Sequence, residues 1–388
     1  MRRFAKTRLA LPACVGLALA FGYSVVDTEA HKVVTSPYTY NDDIYPILRD
    51  SCGRCHVEGG PAPMGLLAWN DGPNSATPWA ESIRELIVDE QMPPWYVDSL
   101  GPSIRGGSGL TAIQSDKLLV WATGGAPQGD LKKSIAHTTY HARWTGGEPD
   151  LKIPMESTFT IAAERNEETR EFVLPTGLAE ARWVKGVDLL PGAPEIVRNA
   201  VVSIDGGAVL AVWVPGDTLV TAPADTAFRV PAGAKLRLQI HYKKQWQNGG
   251  KAIADRSVIG LYFAAAPASA RAIQSVAVEG PKAPATEFAS TLTTRGRVVA
   301  IRPSLDKVYG SVSVEAVTPA GAHVPLLRLR NPRPEWRRRY WLASPVELPA
   351  GSRILVTRTP VPSYINLAGA ALMPSYPLQV AIDFVPNS

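Results

Sequence analysis

Two thiols and an imidazole stand together at Cys52-Gly53-Arg54-Cys55-His56. In a C-x-x-C-H sequence the sulfurs can add across the two vinyl groups of a heme while the adjoining imidazole reaches the iron. Two other chemistries use part of this spacing. A C-x-x-C redox pair needs a thioredoxin-like βαβ setting, and half of a zinc site needs a second ligand pair nearby. Neither context surrounds residue 52. The expectation is one covalent heme c, anchored by Cys52 and Cys55, with His56 as proximal iron ligand. The only other cysteine is Cys14, so no disulfide network can hold the chain together.

A sixth ligand must come from the few side chains that bind heme iron, and a thioether raises the potential relative to a second imidazole. Met64 ends the turn-rich Gly59-Gly60-Pro61-Ala62-Pro63, where the chain still runs beneath the proximal face. The carbonyl of Pro61 or Pro63 is expected there to accept the His56 ring N–H and fix the imidazole. Met92 follows a complete helix on the stiff Met92-Pro93-Pro94 strap, which suits it to the opposite face. Met92 is the preferred distal ligand and Met64 the alternative. His31, His137 and His141 are more remote candidates, and an open sixth position is a further possibility.

The elements around these residues read as short helices. Asn41-Asp42-Asp43 caps one running through Ile44, Ile47 and Leu48, with Pro46 in its first turn. Thr77-Pro78 opens a second, with Trp79, Ile83, Leu86 and Ile87 on one face. Thr111 starts a third through Ile113, Leu118, Leu119 and Trp121, closed by Gly124-Gly125. Three small helices around one heme make residues 31–130 a small all-α cytochrome c domain.

Ahead of it, Arg2, Arg3, Lys6 and Arg8 precede an apolar run over residues 9–26, and Thr28-Glu29-Ala30 offers small residues for cleavage. Residues 1–30 are thus expected to be a signal peptide, or a membrane anchor if uncleaved, placing the mature chain in the periplasm or on the outer face of the cytoplasmic membrane. Residues 31–130 hold six basic and twelve acidic side chains, and residues 131–388 hold thirty and twenty-one, within a formal net charge of +5. An acidic front segment excludes a uniformly basic nucleic-acid binder, and the polarity can orient two domains or a charged partner. Asn331-Pro332-Arg333-Pro334-Glu335-Trp336-Arg337-Arg338-Arg339 is the densest basic stretch. It reads first as a solvated loop, with a docking surface for an acidic partner, such as the heme segment of this or another chain, as the sharper alternative.

From residue 131 onward, short β-branched and aromatic runs alternate with turn pairs, as in Ala200-Val201-Val202-Ser203-Ile204 before Asp205-Gly206-Gly207. The remaining 258 residues suit two antiparallel β-sandwiches, residues 131–270 and 271–388, joined within the Pro- and Ala-rich residues 264–285.

The order of C-x-x-C-H, the APM and MPPW segments, W-A-T-G-G-A-P-Q-G-D, G-G-E-P-D-L, L-Q-I-H-Y and a late L-P-A-G-S resembles bacterial cytochrome-fused relatives of the copper type II, ascorbate-dependent monooxygenases. The resemblance spans nearly the whole mature chain. It implies two jelly-roll-like domains, each holding one copper, that together hydroxylate a C–H bond. Carried over residue by residue, it implies lost copper. Gln239-Ile240-His241-Tyr242 keeps one family histidine, but the His-His pair falls on Arg198-Asn199, and the Pro-His-x-His strand becomes Pro303-Ser304-Leu305-Asp306. Met373 aligns only loosely with the late methionine ligand. His241 without imidazole partners reads as a packed or hydrogen-bonded strand residue, and His323 as a solvent-facing one.

No G-x-S-x-G elbow, P-loop, H-E-x-x-H or dinucleotide fingerprint is present. The reading is therefore an exported monoheme cytochrome c that transfers one electron at a time, with copper not expected and no catalytic residues assigned. Its β domains act as a non-catalytic scaffold or docking module for redox partner proteins, in a multi-subunit envelope complex or alone. The enzyme alternative is a heme-coupled copper monooxygenase with non-standard ligands; the third is a structural subunit whose heme supports folding.

Overall fold

Thr39 opens the first helical stretch, its backbone N–H donating to Asp43 Oδ2 (3.1 Å) and its hydroxyl to Asp42 Oδ2 (3.0 Å). The chain makes one π-helical turn at Tyr40–Ile44 and continues as α1 (Tyr45–Ser51). The cap thus falls at Thr39 rather than Asn41, whose side chain instead donates to the Asp130 carbonyl (2.8 Å). The extra turn buries Tyr40 and Ile44 beside Ile47 and Leu48, and places Asp42 and Asp43 where the helix dipole favours them. A 3-10 turn at Thr77–Trp79 leads into α2 (Ala80–Val88). After the short strand β1 (Ile104–Arg105), Thr111 and Gln114 form a reciprocal capping box for α3 (Ala112–Thr123). Tyr40, Leu48, Leu118 and Trp121 are buried together in the core these helices share.

The computed structural model describes residues 35–70, 72–107, 109–133, 135–265, 271–280, 285–361 and 378–387. The N-terminal apolar run, Cys14, His31 and Met373 lie outside the described residues. No helix among the described residues is long and apolar enough to cross a membrane.

Beyond residue 131 the regular structure of the described residues is almost wholly strand. In order come β2 (Leu151–Pro154), β3 (Phe159–Ile161), β4 (Glu167–Pro175), β5 (Arg182–Leu190), β6 (Val197–Ile204) and β7 (Val209–Trp213). Then follow β8 (Thr226–Val230), β9 (Lys235–Lys243), β10 (Ile253–Asp255), β11 (Val258–Phe263), β12 (Arg271–Ala272), β13 (Gln274–Glu279) and β14 (Glu287–Thr291). The last are β15 (Gly296–Ser304), β16 (Ser311–Val317), β17 (His323–Arg330), β18 (Tyr340–Leu348), β19 (Arg353–Thr359) and β20 (Gln379–Pro386). A five-stranded sheet, β12-β8-β5-β11-β2, shares one hydrophobic core with the four-stranded sheet β4-β9-β6-β7. A second pair, β1-β18-β15-β20-β13 and β14-β19-β16-β17, encloses another. Among the named strands, pairing is antiparallel except between β12 and β8. Strand β9 illustrates why: Leu236, Leu238, Ile240 and Tyr242 are buried at every second position while Arg237 and Gln239 on the other face bond to Glu171.

The helical segment is not a separate all-α body. Its strand β1 pairs with β18, Ile104 opposite Leu342, and so covers the edge of one sheet. Val97 bridges to Leu329 on the edge strand β17, the Asp98 N–H donates to the Arg328 carbonyl (2.9 Å), and the two side chains form an ion pair (2.9 Å). Part of one edge of each of these two sheets is thereby covered. Val299, Ala300, Trp341 and Val385 of the second pair of sheets also enter the core of the first. Residues Ser36–Ser388 form one compact unit.

Candidate cofactor site

A cavity of about 640 Å³ lies where the helices meet the sheets, within the size range of cofactor pockets. Cys52, Cys55, His56, Met64 and Met92 all lie on its wall. Leu48 of α1, Ile83 and Leu86 of α2 and Leu118 of α3 make the apolar lining on the helical side. His137 and His141 are not on this wall; His137 is exposed and bonds to Glu58 (2.7 Å).

Burial sets the protonation of the central groups. Both cysteines are free, and burial pushes the Cys52 and Cys55 thiols up to about 12, so they are neutral at physiological pH. Burial pushes His56 down to about 4, against a weaker opposing pull from the Met64 backbone. The imidazole is therefore neutral, the form that ligates iron. Its Nδ1 is buried without a hydrogen-bond partner. The expected bond from His56 to Pro61 or Pro63 is not made. The Pro61 carbonyl accepts instead from Arg198 Nη1 (2.8 Å) and Gln245 Nε2 (2.6 Å), which use both its lone pairs, and the Pro63 carbonyl accepts from Gln247.

These donors come from the β region, which supplies the rest of the wall through Arg198, Gly216, Asp217, Gln245, Trp336 and Arg338. The loop after β7 presses on the C-x-x-C-H motif. Arg54 donates to the Gly216 carbonyl (3.3 Å), and a Cβ added at Gly216 would lie 2.6 Å from Cys55 Sγ. Gly216 also has φ +82°, so both its backbone and its surroundings select glycine. Nothing in Pro215-Gly216-Asp217 distinguishes it in sequence from an ordinary turn.

The basic stretch at residues 331–339 is not a solvated loop. Arg333 and Arg338 are buried, and the stretch docks onto the helical segment of its own chain. Arg338 pairs with Asp217 (2.6 Å) and donates to the Pro94 carbonyl; Asn331 donates to Glu90 (2.6 Å), which also pairs with Arg330 (2.9 Å). Arg339 pairs with the fully buried Asp383 (2.7 Å) and donates to the carbonyls of Val209 and Leu210. Burial pushes the Asp217 carboxyl up, with Arg338 pulling the other way.

The positions matched to copper ligands are occupied by other bonds. Asn199 sits opposite His241 in the β6–β9 pairing, and a bulge between Val197 and Asn199 sets Arg198 out of the ladder toward the cavity. His241 bonds through Nδ1 to the Thr169 hydroxyl (3.0 Å) and through Nε2 to Glu167 (3.1 Å). Burial lowers its pKa, helped by Lys243, Arg337 and Arg198 and opposed by Glu167. Ser304 ends β15, Leu305 is buried, and Asp306 accepts from the Tyr309 hydroxyl. His323 is exposed and faces Glu315 (3.1 Å).

No protein-family model matches the chain, and no curated protein matches it. Among solved structures, the major capsid protein P2 of bacteriophage PM2 aligns with a TM-score of 0.27 and 11% identity over 61% of this chain and 96% of that one. The turret protein A223 of Sulfolobus turreted icosahedral virus aligns with a TM-score of 0.16 and 8% identity, over 61% and 100%. Oxalate decarboxylase of Bacillus subtilis gives 0.15 and 8%, over 68% and 88%. Likenesses this weak bear neither on the family nor on the activity of this chain.

Proposed function

We propose that this chain is an exported c-type cytochrome that holds one covalent heme and carries one electron at a time between redox partners. The observation that carries the reading is the convergence of two free thiols, a neutral imidazole and two thioethers on the wall of one large, mostly apolar cavity. The residues fit the group. Cys52 and Cys55 would hold it through thioether bonds, in the cavity they line between the helices and the β region. His56, kept neutral by burial, is ready to bind iron. Met92 would serve as the distal ligand, with Met64 the alternative; both line the wall. When bound, the heme supplies reversible one-electron chemistry at iron.

The chain's own residues exclude water and fix the motif. Trp95, Trp336 and the aliphatic side chains of α2 and α3 dry the cavity, while Arg198, Gln245 and Gln247 clamp the Pro61–Pro63 carbonyls. The β domains, jelly-roll-like relatives of copper monooxygenase domains, act here as a non-catalytic scaffold that completes the cofactor pocket. Residues 1–30 direct the chain to the periplasm or anchor it on the outer face of the membrane, where it meets redox partner proteins, in a multi-subunit envelope complex or alone.

The test is a redox titration of protein made in a host that matures c-type cytochromes, with metals measured on the same sample. A single reversible one-electron step with heme iron is expected. Stoichiometric copper that is lost on His241→Ala, with hydroxylation of a substrate, would replace this reading with the oxygenase.

A further inference from the structure

The cavity wall carries five cations and two carboxylates: Arg54, Arg198, Lys243, Lys244 and Arg338 against Asp50 and Asp217. Most have partners. Asp50 pairs with Arg49 (2.7 Å), Arg338 with Asp217 (2.6 Å) and Lys243 with Glu167 (3.3 Å). Lys244 donates to the carbonyls of Ala162 (2.6 Å) and Ala163 (3.0 Å), and the exposed Arg54 donates to the Gly216 carbonyl (3.3 Å) beside Asp217.

Arg198 differs. Its Nη1 and Nη2 each donate to a backbone carbonyl, of Pro61 and Glu195 (both 2.8 Å), and no carboxylate among the described residues forms an ion pair with it. Burial lowers its pKa to about 10. Glu195 opposes that shift without bonding to the guanidinium through its carboxylate, and a largely desolvated cation without a bonded carboxylate is costly. With five N–H donors and two bonds made, three donors remain, and a guanidinium is the group best shaped to grip a carboxylate. The bulge on β6 is what places this side chain on the cavity wall.

We infer that Arg198 is the receptor for a carboxylate of the heme, supplying from the β region the counter-charge for a propionate group. The inference rests on the heme reading above and deepens it. The position at which copper-binding relatives carry an imidazole then serves the cofactor of the neighbouring segment, and the β region joins in binding as well as enclosing it.

The experiment measures the midpoint potential of wild type, Arg198→Gln and Arg198→Lys, with covalent heme content and thermal melting as controls. Removing the cation leaves a propionate anion near the iron uncompensated, which stabilises the ferric state. Arg198→Gln is expected to keep its heme and show a lowered potential at neutral pH. The difference should close at acid pH, where the freed carboxylate takes up a proton, and Arg198→Lys should stay near wild type. A heme-loaded Arg198→Gln protein with the wild-type potential at both pH values overturns the inference and leaves the cytochrome reading intact; wild type without heme removes both. If Arg198→Gln does not accumulate, the propionate bending band in the resonance Raman spectrum decides between wild type and Arg198→Lys. A shift supports the guanidinium contact, and an unchanged band overturns it.

Discussion

Replacing Gly216 by alanine tests whether the β region presses on the cofactor motif. The new Cβ would lie 2.6 Å from Cys55 Sγ, closer than non-bonded carbon and sulfur can approach, and Gly216 sits at φ +82°. An L-residue held in the left-handed region costs about 1–2 kcal/mol, and overpacking a tight site about 1–3 kcal/mol, so the expected loss is about 2–5 kcal/mol. Gly233 supplies the control, because it has φ +64° and an added Cβ there would have nothing within 4 Å. Gly233→Ala should therefore lose only the backbone part. The difference between the two variants isolates the sulfur contact, at about 1–3 kcal/mol, or roughly fivefold to 150-fold in the folding equilibrium. Denaturant midpoints measure it, and a heme-stained denaturing gel reports attachment in the same variants. Gly216→Ala should also reduce heme attachment, since the sulfur must be free to reach the vinyl carbon. Equal midpoints for the two variants, with full heme loading, would refute the argument that this loop bears on Cys55.

Arg338→Ala should destabilise the protein by about 3–5 kcal/mol by leaving Asp217 buried without its counter-charge. Because burial raises the Asp217 pKa, the stability tied to its neutral form is present at acid pH and lost as pH rises through that raised value; the variant's penalty should shrink on acidification, as unfolding curves across pH will show. In heme-free protein, His56 has a folded pKa of about 4 against 6.5 unfolded, so stability should fall as pH drops through that interval, by at most about 3 kcal/mol, and the same loss should be absent from the heme-loaded form. Met92→Ala should lower the midpoint potential and abolish the near-infrared sulfur-to-iron absorption, while Met64→Ala leaves both in place; the reverse pattern would move the distal ligand to Met64.

Local signals were legible in the sequence wherever they depend on neighbours along the chain. The start of α3 at Thr111 and the strand run Ala200-Val201-Val202-Ser203-Ile204 are of this kind. The first helix cap was displaced because several polar residues in succession offer competing acceptors, and the Thr39 bonds to Asp42 and Asp43 start the helix earlier. Long-range features were hidden. Arg198 registered only as a missing histidine, although its partner Pro61 lies on the other side of the cavity seam. That the Pro61 carbonyl accepts from Arg198 and Gln245, while His56 Nδ1 has no partner, is something local spacing cannot reveal. The basic stretch at residues 331–339 looked like a solvated loop because its carboxylate and carbonyl partners, Asp217, Glu90 and Pro94, are distant in sequence. The acidic front segment and basic remainder did hint at such docking, and Glu90–Arg330 and Asp98–Arg328 are two of its contacts.

Intact mass measurement under denaturing conditions, on protein from a host able to mature c-type cytochromes, tests the central claim most directly. The expected result is a chain heavier by one heme, with Cys52 and Cys55 both refractory to alkylation. A chain of unmodified mass with both thiols alkylatable would contradict it.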